Sequence, residues 1–287
     1  NVTIDNVNLS RNGATPFGLG IGMINGIGNK NNRILNCGIA NRRTGIYCSG
    51  GTDYTIQNDT LTSSGIAATE PAIYLNGVTE GSLPGGVVMS GNIFGGTNTN
   101  AAIRFETMKN VVVGDASVTN RTVTIEDGAL ATVGNNANSN ESVIYFSNVS
   151  NSTVDNVDFT RTGSTQYGIG LRVDNNINFY PFTIKNNTFG TRRTGIYANV
   201  VTGLTIDSNL VNSCGAAATE LAMYLLNTTF STGKSIHHNT FSGTFTHGLR
   251  LENVNDVIIG DSSVVNVELQ LEPYCGINKA STRAIHL

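Results

Sequence analysis

The sequence predicts an all-β parallel solenoid of about ten coils, built from two tandem five-coil repeats. Three observations predict it. The chain is written twice, a short apolar hexad recurs inside each copy, and no stretch carries a sustained helical period with caps. The duplication is direct: Asn1-Val-Thr-Ile-Asp-Asn-Val-Asn-Leu-Ser10 returns as Asn151-Ser-Thr-Val-Asp-Asn-Val-Asp-Phe-Thr160, and Arg42-Arg-Thr-Gly-Ile-Tyr47 returns unchanged as Arg192-Arg-Thr-Gly-Ile-Tyr197. The register is 150 residues up to Glu220 and then slips to about 146. Repeats of this kind bury a core by stacking neighbours, which argues for one continuous body over residues 1–287, with repeat one at 1–150 and repeat two at 151–287. A residue kept in both copies is then structural or belongs to a site that occurs twice.

The first strand of each coil is the hexad, an aliphatic residue at position one and Leu, Phe, Ile or Val at position six. It begins at Ile4, Ile34, Ile56, Met89 and Val113, and again at Val154, Ile184, Ile206, Ile236 and Ile259. The gaps are 30, 22, 33 and 24 residues in the first copy and 30, 22, 30 and 23 in the second. Asn or Asp falls third or fourth, where Asn tolerates a left-handed turn and its amide bonds backbone and the Asn one rung away. A second short strand follows each hexad, as in Gly45-Ile-Tyr47, Ala72-Ile-Tyr-Leu75 and Ala102-Ile-Arg-Phe105, with matching runs in copy two. The connector from Val118 to Glu141 holds an extra strand-like run, Thr122-Val-Thr-Ile-Glu126, expected to project from the rod; copy two has Val267-Glu-Leu-Gln-Leu271 in a shorter segment. Ten rungs at about 4.8 Å give a rod roughly 48 Å long.

In its Ile-x-x-Asn-x-Phe motif, as in Ile236-His-His-Asn-Thr-Phe241, the chain resembles the right-handed parallel β-helix repeat proteins of pectate-lyase-like architecture. The resemblance covers essentially the whole chain and implies the right hand of the coil. It implies little about function, because that fold hosts many functions.

Composition narrows the options. Only 13% of residues are charged and the net charge is −3, which argues against nucleic acid as a partner. No 18-residue apolar run exists to insert in a membrane. Abundant Asn, Thr, Ser and Gly favour an extracellular or cell-surface location. Cys37, Cys48, Cys214 and Cys275 have no Cys-x-x-Cys pairing, so no metal site is predicted from them and they read as buried thiols, with a Cys37–Cys48 bridge as the alternative. No cofactor is implied.

Two outward ladders are the candidate sites. The middle residue of the second strand reads Gly20, Tyr47, Tyr74, Arg104, Tyr145 in copy one and Gly170, Tyr197, Tyr224, Arg250, His286 in copy two. Because strand residues alternate, these share one face. Large flat side chains there suit a glycan, a protein partner, or stacking on one another. At hexad position two, copy two offers Asp155, Lys185, Asp207 and His237 on adjacent rungs, a set able to do acid/base work on a glycan. Copy one has Asp5, Leu35, Gln57 and Ser90 instead, and the simpler reading is solvated surface. The signatures that the resemblance would require of a polygalacturonase or a pectate lyase are missing: there is no Asn-Thr-Asp, Asp-Asp, Gly-His-Gly or Arg-Ile-Lys, and no acidic cluster beside Arg42-Arg43 or Arg192-Arg193. The Glu70/Glu220 and Glu106/Glu252 pairs occur in both copies, which favours structure over catalysis.

Leu287 aligns with Phe146, so the sequence stops near the end of a repeat and starts without a distinct cap. The expectation is a structural or adhesive protein that stacks end to end, as a fibre subunit or a segment of a longer array. A final partial coil from Cys275 to Leu287 that covers its own end is the alternative. The competing function is a polysaccharide lyase or hydrolase, or a glycan-binding module.

Overall fold

The structure, a computed structural model, describes residues 1–13, 15, 17–24, 30–64, 71–78, 87–95, 101–109, 111–114, 124–125, 142–161, 166, 168–176, 181–215, 221–230, 236–243, 245, 247–255, 259, 270–271 and 283–286. All regular structure among them is β, and every strand pairing is parallel. No helix among them is long and apolar enough to cross a membrane. The chain winds through three faces per coil. The first face holds Thr3–Asp5, Lys30–Leu35, Thr52–Gln57, Val87–Ser90, Val111–Val113, Ser152–Asp155, Phe182–Lys185, the end of Thr194–Asp207, and Ile236–His237. A bridge from Ile236 to Ile259 adds the tenth coil. The second face holds Gly38–Ala40, Thr60–Thr62, Ile93–Gly95, Thr188–Gly190, Leu210–Asn212 and Thr240–Ser242. The third runs from Leu19–Met23 through Thr44–Ser49, Ile73–Asn76, Ala101–Lys109, Ser142–Ser150, Ile169–Asn176, the start of Thr194–Asp207, Met223–Leu226 and His247–Glu252 to Arg283–His286.

Register follows the hexad. Ile4 lies opposite Ile34, Ile34 opposite Ile56, Ile56 opposite Met89, and Val154 opposite Ile184. From Ile34 to Ile236 these position-one residues are buried. Position six forms a second inward column of Ile39, Leu61, Phe94, Phe159, Phe189, Val211 and Phe241, with Phe159 and Phe189 stacked at 4.7 Å. Stacking places like upon like, so one apolar column continues through both copies. Pairing also crosses the repeat junction: Ser142–Ser150 of coil 5 pairs with Ile169–Asn176 of coil 6.

The hexad and its turn separate into two roles that the sequence reading merges. Position three takes the left-handed conformation, at Asn6, Asn36, Asn58, Asn156, Asn186, Ser208 and His238 (φ 52° to 57°). In coils 7 to 9 position four is a buried Asn, and these side chains form an amide ladder. The Asn209 Nδ2 group donates to Asn239 Oδ1 at 2.9 Å and to Ile184 O at 3.0 Å, while Asn187 N and Nδ2 both donate to Asn209 Oδ1 at 3.0 Å. These bonds satisfy backbone groups that a turn would otherwise bury unpaired.

Coil 5 corrects the reading in another way. Thr124–Ile125 does not project; it pairs with Ile93 and Phe94 on the second face. Position six of that coil is thus filled by Ile125, and in coil 10 by Leu271, opposite Phe241. Val118 and Val264, the residues six along, lie outside the described residues. The insertion in these coils falls between the first and second strands, so the hexad is interrupted there. Cys37, Cys48 and Cys214 are buried free thiols, and burial pushes the Cys214 thiol up to about 12. Cys275 and the Glu70/Glu220 pair lie outside the described residues.

Candidate functional site

The third face carries one continuous column of large side chains, but its members differ from expectation at two rungs. Ile21 pairs with Ile46 and Gly22 with Tyr47, so Gly22 stands in the column rather than Gly20. Arg172 lies between Tyr145 and Tyr197, so it replaces Gly170. The reason is steric. A Cβ on Gly20 would sit 2.5 Å from Gly45 O, and one on Gly170 2.7 Å from both Gly195 O and Phe189 Cδ1. These glycines point into a packed corner. The column therefore reads Gly22, Tyr47, Tyr74, Arg104, Tyr145, Arg172, Tyr197, Tyr224, Arg250, and His286 continues the register opposite Arg250.

Neighbours in it touch. Tyr47 and Tyr74 rings lie 5.3 Å apart, and Tyr197 and Tyr224 rings 5.5 Å. The Arg104 guanidinium lies 5.4 Å from the Tyr74 ring centre and 5.2 Å from that of Tyr145. The Arg172 group lies 4.9 Å from Tyr145 and 5.3 Å from Tyr197. Arg250 lies 5.2 Å from Tyr224. A cation over an aromatic face is attracted by the ring quadrupole.

Each Arg rung also carries an acid two residues on, and that acid ties two rungs together. Glu106 Oε2 accepts from Tyr74 Oη at 2.6 Å and meets Arg104 at 2.9 Å. Asp174 Oδ2 accepts from Tyr145 Oη at 3.2 Å and from Arg172 Nε at 2.7 Å, with a further contact to Arg172 Nη2. Glu252 Oε2 accepts from Tyr224 Oη at 2.8 Å and from Arg250 at 2.9 Å. Burial, then the bond to the acid, pushes the Tyr74 and Tyr224 hydroxyls up to about 12. These phenols act as donors within the rod. The repeated Arg-x-acid spacing (Arg104 and Glu106, Arg172 and Asp174, Arg250 and Glu252) is the sequence signal that would have located Arg172.

On the first face, the structure brings the position-two residues together. Asp155 lies opposite Lys185, Lys185 opposite Asp207, and Asp207 opposite His237. The two ends of this column differ. Lys185 Nζ stands 3.3 Å from Asp155 Oδ2, and Asn186 Nδ2 donates to Asp155 Oδ1 at 2.9 Å. Copy one repeats half of this, with Asn36 Nδ2 donating to Asp5 Oδ1 at 2.8 Å. Asp155 therefore has a structural duty found in both copies. At the other end, Asp207 Oδ1 lies 2.9 Å from His237 Nδ1 and 3.0 Å from His238 Nδ1, and the two Nδ1 atoms are 3.1 Å apart. His238 is at the left-handed turn position, which interrupts strand alternation and sets its ring beside His237, centroids 5.1 Å apart. His238 is position three of its hexad, and strand alternation gives no sign that the turn there returns its ring to His237. The copy-one positions are Gln57, Ser90 and Gly91.

The duplicated arginines serve the coil turns. Arg42 Nε donates to Leu9 O at 3.1 Å, and the buried Arg192 Nε donates to Phe159 O at 2.8 Å.

These faces and ladders define the fold class, a right-handed parallel β-helix. Residues 142–281 match the family model described as a right-handed β-helix region. Among curated proteins, none matches the sequence. A solved structure similar to the chain is that of QnrB1, a plasmid-mediated fluoroquinolone resistance protein, in a trypsin-treated variant form. It shares 11% identity with a TM-score of 0.22, over 80% of this chain and 91% of that one.

Proposed function

We propose that the protein is an extracellular structural or adhesive β-solenoid whose first coil stacks on another coil, supplied by a longer array or by a second copy. The observation that carries this reading is the apolar face of the first coil. Val2 and Leu19 are 42% exposed, whereas Asn32 and Thr44, stacked on them in the next coil, are buried; Ile24, beside them at an outward position, is 56% exposed. Thr3–Asp5 pairs with Lys30–Leu35 on one side only among the described residues. An open strand edge with exposed apolar side chains is a template for further pairing.

The outer ladders support a structural role as well. Arg groups cover Tyr ring faces and carboxylates hold the Tyr hydroxyls, so the column is engaged in binding rung to rung. A glycan stacking on the Tyr rings would compete with those contacts. Low charge and abundant Asn, Thr and Ser suit an exposed extracellular rod.

Electron microscopy of the untagged protein tests the proposal, beside a variant carrying Leu19→Glu and Ile24→Asp. The expected result is rods longer than the single-chain length of roughly 48 Å, shortened to single units in the variant. Short isolated rods at high concentration for the unsubstituted protein would overturn stacking.

A further inference from the structure

We propose that Asp207, His237 and His238 form a binding site for a divalent transition-metal ion of the zinc class. Their donor atoms, one carboxylate oxygen and two imidazole nitrogens, form a near-equilateral triangle with edges of 2.9, 3.0 and 3.1 Å. A zinc ion holds such ligands at about 2.0–2.1 Å, which places neighbouring donors about 3.0 Å apart in octahedral and about 3.3 Å apart in tetrahedral geometry. One ion above the triangle reaches all three atoms with little movement of any side chain. Two imidazoles and a carboxylate suit zinc and its neighbours, not calcium or magnesium, which take oxygen ligands.

Proton accounting points the same way. For Asp207 Oδ1 to accept from both rings, both Nδ1 atoms must carry hydrogen. The 3.1 Å contact between them then joins two donors. Removing either proton leaves a lone pair facing the carboxylate. No neutral assignment turns all three edges into hydrogen bonds, whereas a cation satisfies three lone pairs at once. The other ring nitrogen of His237, Nε2, is buried and meets no hydrogen-bond partner among the described residues, so Nδ1 carries the chemistry of that ring.

The site is built and reachable. Ser208 Oγ donates to Asp207 Oδ1 at 2.9 Å, which orients the carboxylate. Asn239 Nδ2 donates to His237 O at 2.9 Å and to Ile206 O at 2.8 Å, clamping the two rungs that supply the ligands. The His237 and Asp207 side chains are part-buried, and His238 is open to solvent. Three protein ligands leave positions for water or for an external donor. The first repeat has the same coil but Gln57, Ser90 and Gly91 in these places, so the chain carries one such site in its described residues.

Isothermal titration of the untagged full chain with zinc ion tests this. One ion per chain is expected, and Asp207→Asn, His237→Gln and His238→Gly should each weaken uptake by more than the about tenfold that loss of an outer partner costs. His238→Gly copies Gly91 of the first repeat and keeps the turn, and circular dichroism confirms that each variant is folded. A second readout uses copper(II): electron paramagnetic resonance should show hyperfine coupling to two imidazole nitrogens, reduced to one in His238→Gly. Absence of saturable zinc uptake, or uptake unchanged in the His237→Gln/His238→Gly double variant, would overturn the proposal.

Discussion

Coil 1 and coil 6 are matching units of the two repeats with very different surroundings. Coil 6 lies under coil 5; coil 1 has no described coil above it. Leu19 is 42% exposed where its counterpart Ile169 is 5% exposed, and Ile24 is 56% exposed where Asp174 is 3% exposed. Ile4, Val7 and Leu9 are half-buried, whereas Val154, Val157 and Phe159 are buried. The difference teaches that burial in this molecule belongs to the neighbour rather than to the coil. It also shows that coil 1 adds no large side chain to the Tyr/Arg column. Coil 6 contributes Arg172 and its acid Asp174; coil 1 contributes Gly22 and Ile24.

That contrast is most strongly broken in the core. Phe159→Ala should destabilise by about 3–5 kcal/mol, while Leu9→Ala, already half-exposed, should cost about 1–2 kcal/mol. Denaturant unfolding of the two variants measures this directly, and equal costs would mean that coil 1 is covered as well as coil 6.

The column gives a second contrast. Arg172→Gly, which copies coil 1, leaves the buried Asp174 carboxylate without its cation and should cost about 3 kcal/mol. The reverse change, Gly22→Arg, places a Cβ that among the described residues meets only Leu19 Cδ1, at 3.2 Å, and should alter stability by about 0.5 kcal/mol or less. Thermal unfolding of both variants checks the asymmetry.

A smaller effect distinguishes the amide ladders of coils 3 and 8. Asn209 in coil 8 is matched by Asp59 in coil 3. Asp59 Oδ1 accepts from Cys37 N at 2.7 Å, but Oδ2 is buried with no hydrogen-bond partner among the described residues. Burial pushes its carboxyl up to about 6 from 3.8. The folded state therefore holds this proton more tightly than the unfolded chain does. Its contribution to stability is greatest below pH 3.8 and declines as pH rises to about 6. Asp59→Asn supplies an amide able to donate to Ile34 O, as Asn209 does to Ile184 O. It should stabilise the protein at pH 7 by about 1–3 kcal/mol and remove that part of the pH dependence. Unfolding measured at pH 4 and pH 7 decides it.

Much of this was legible in the sequence. The hexad fixes the inward columns because a parallel stack puts position one on position one. It fails at coils 5 and 10, where an insertion carries position six to Ile125 and Leu271 and no local pattern marks the return. The Tyr/Arg column was legible at seven of its described side chains, Tyr47, Tyr74, Arg104, Tyr145, Tyr197, Tyr224 and Arg250. It was misread by one strand period, two residues, at Gly20 and Gly170, because alternation puts i and i+2 on one face and does not tell Gly20 from Gly22 or Gly170 from Arg172. The Asp207, His237 and His238 cluster was half legible. Strand periodicity aligned the first two, but His238 joins them through its left-handed φ, which alternation cannot express.

The most direct test of the central claim compares the two coils within one molecule. Hydrogen exchange of the amides in Leu19–Met23, with those in Ile169–Asn176 as the internal reference, should be followed as protein concentration rises. Stacking on the first coil predicts that protection at Leu19–Met23 climbs toward that of Ile169–Asn176. Protection that stays low and independent of concentration, with Ile169–Asn176 unchanged, would contradict it.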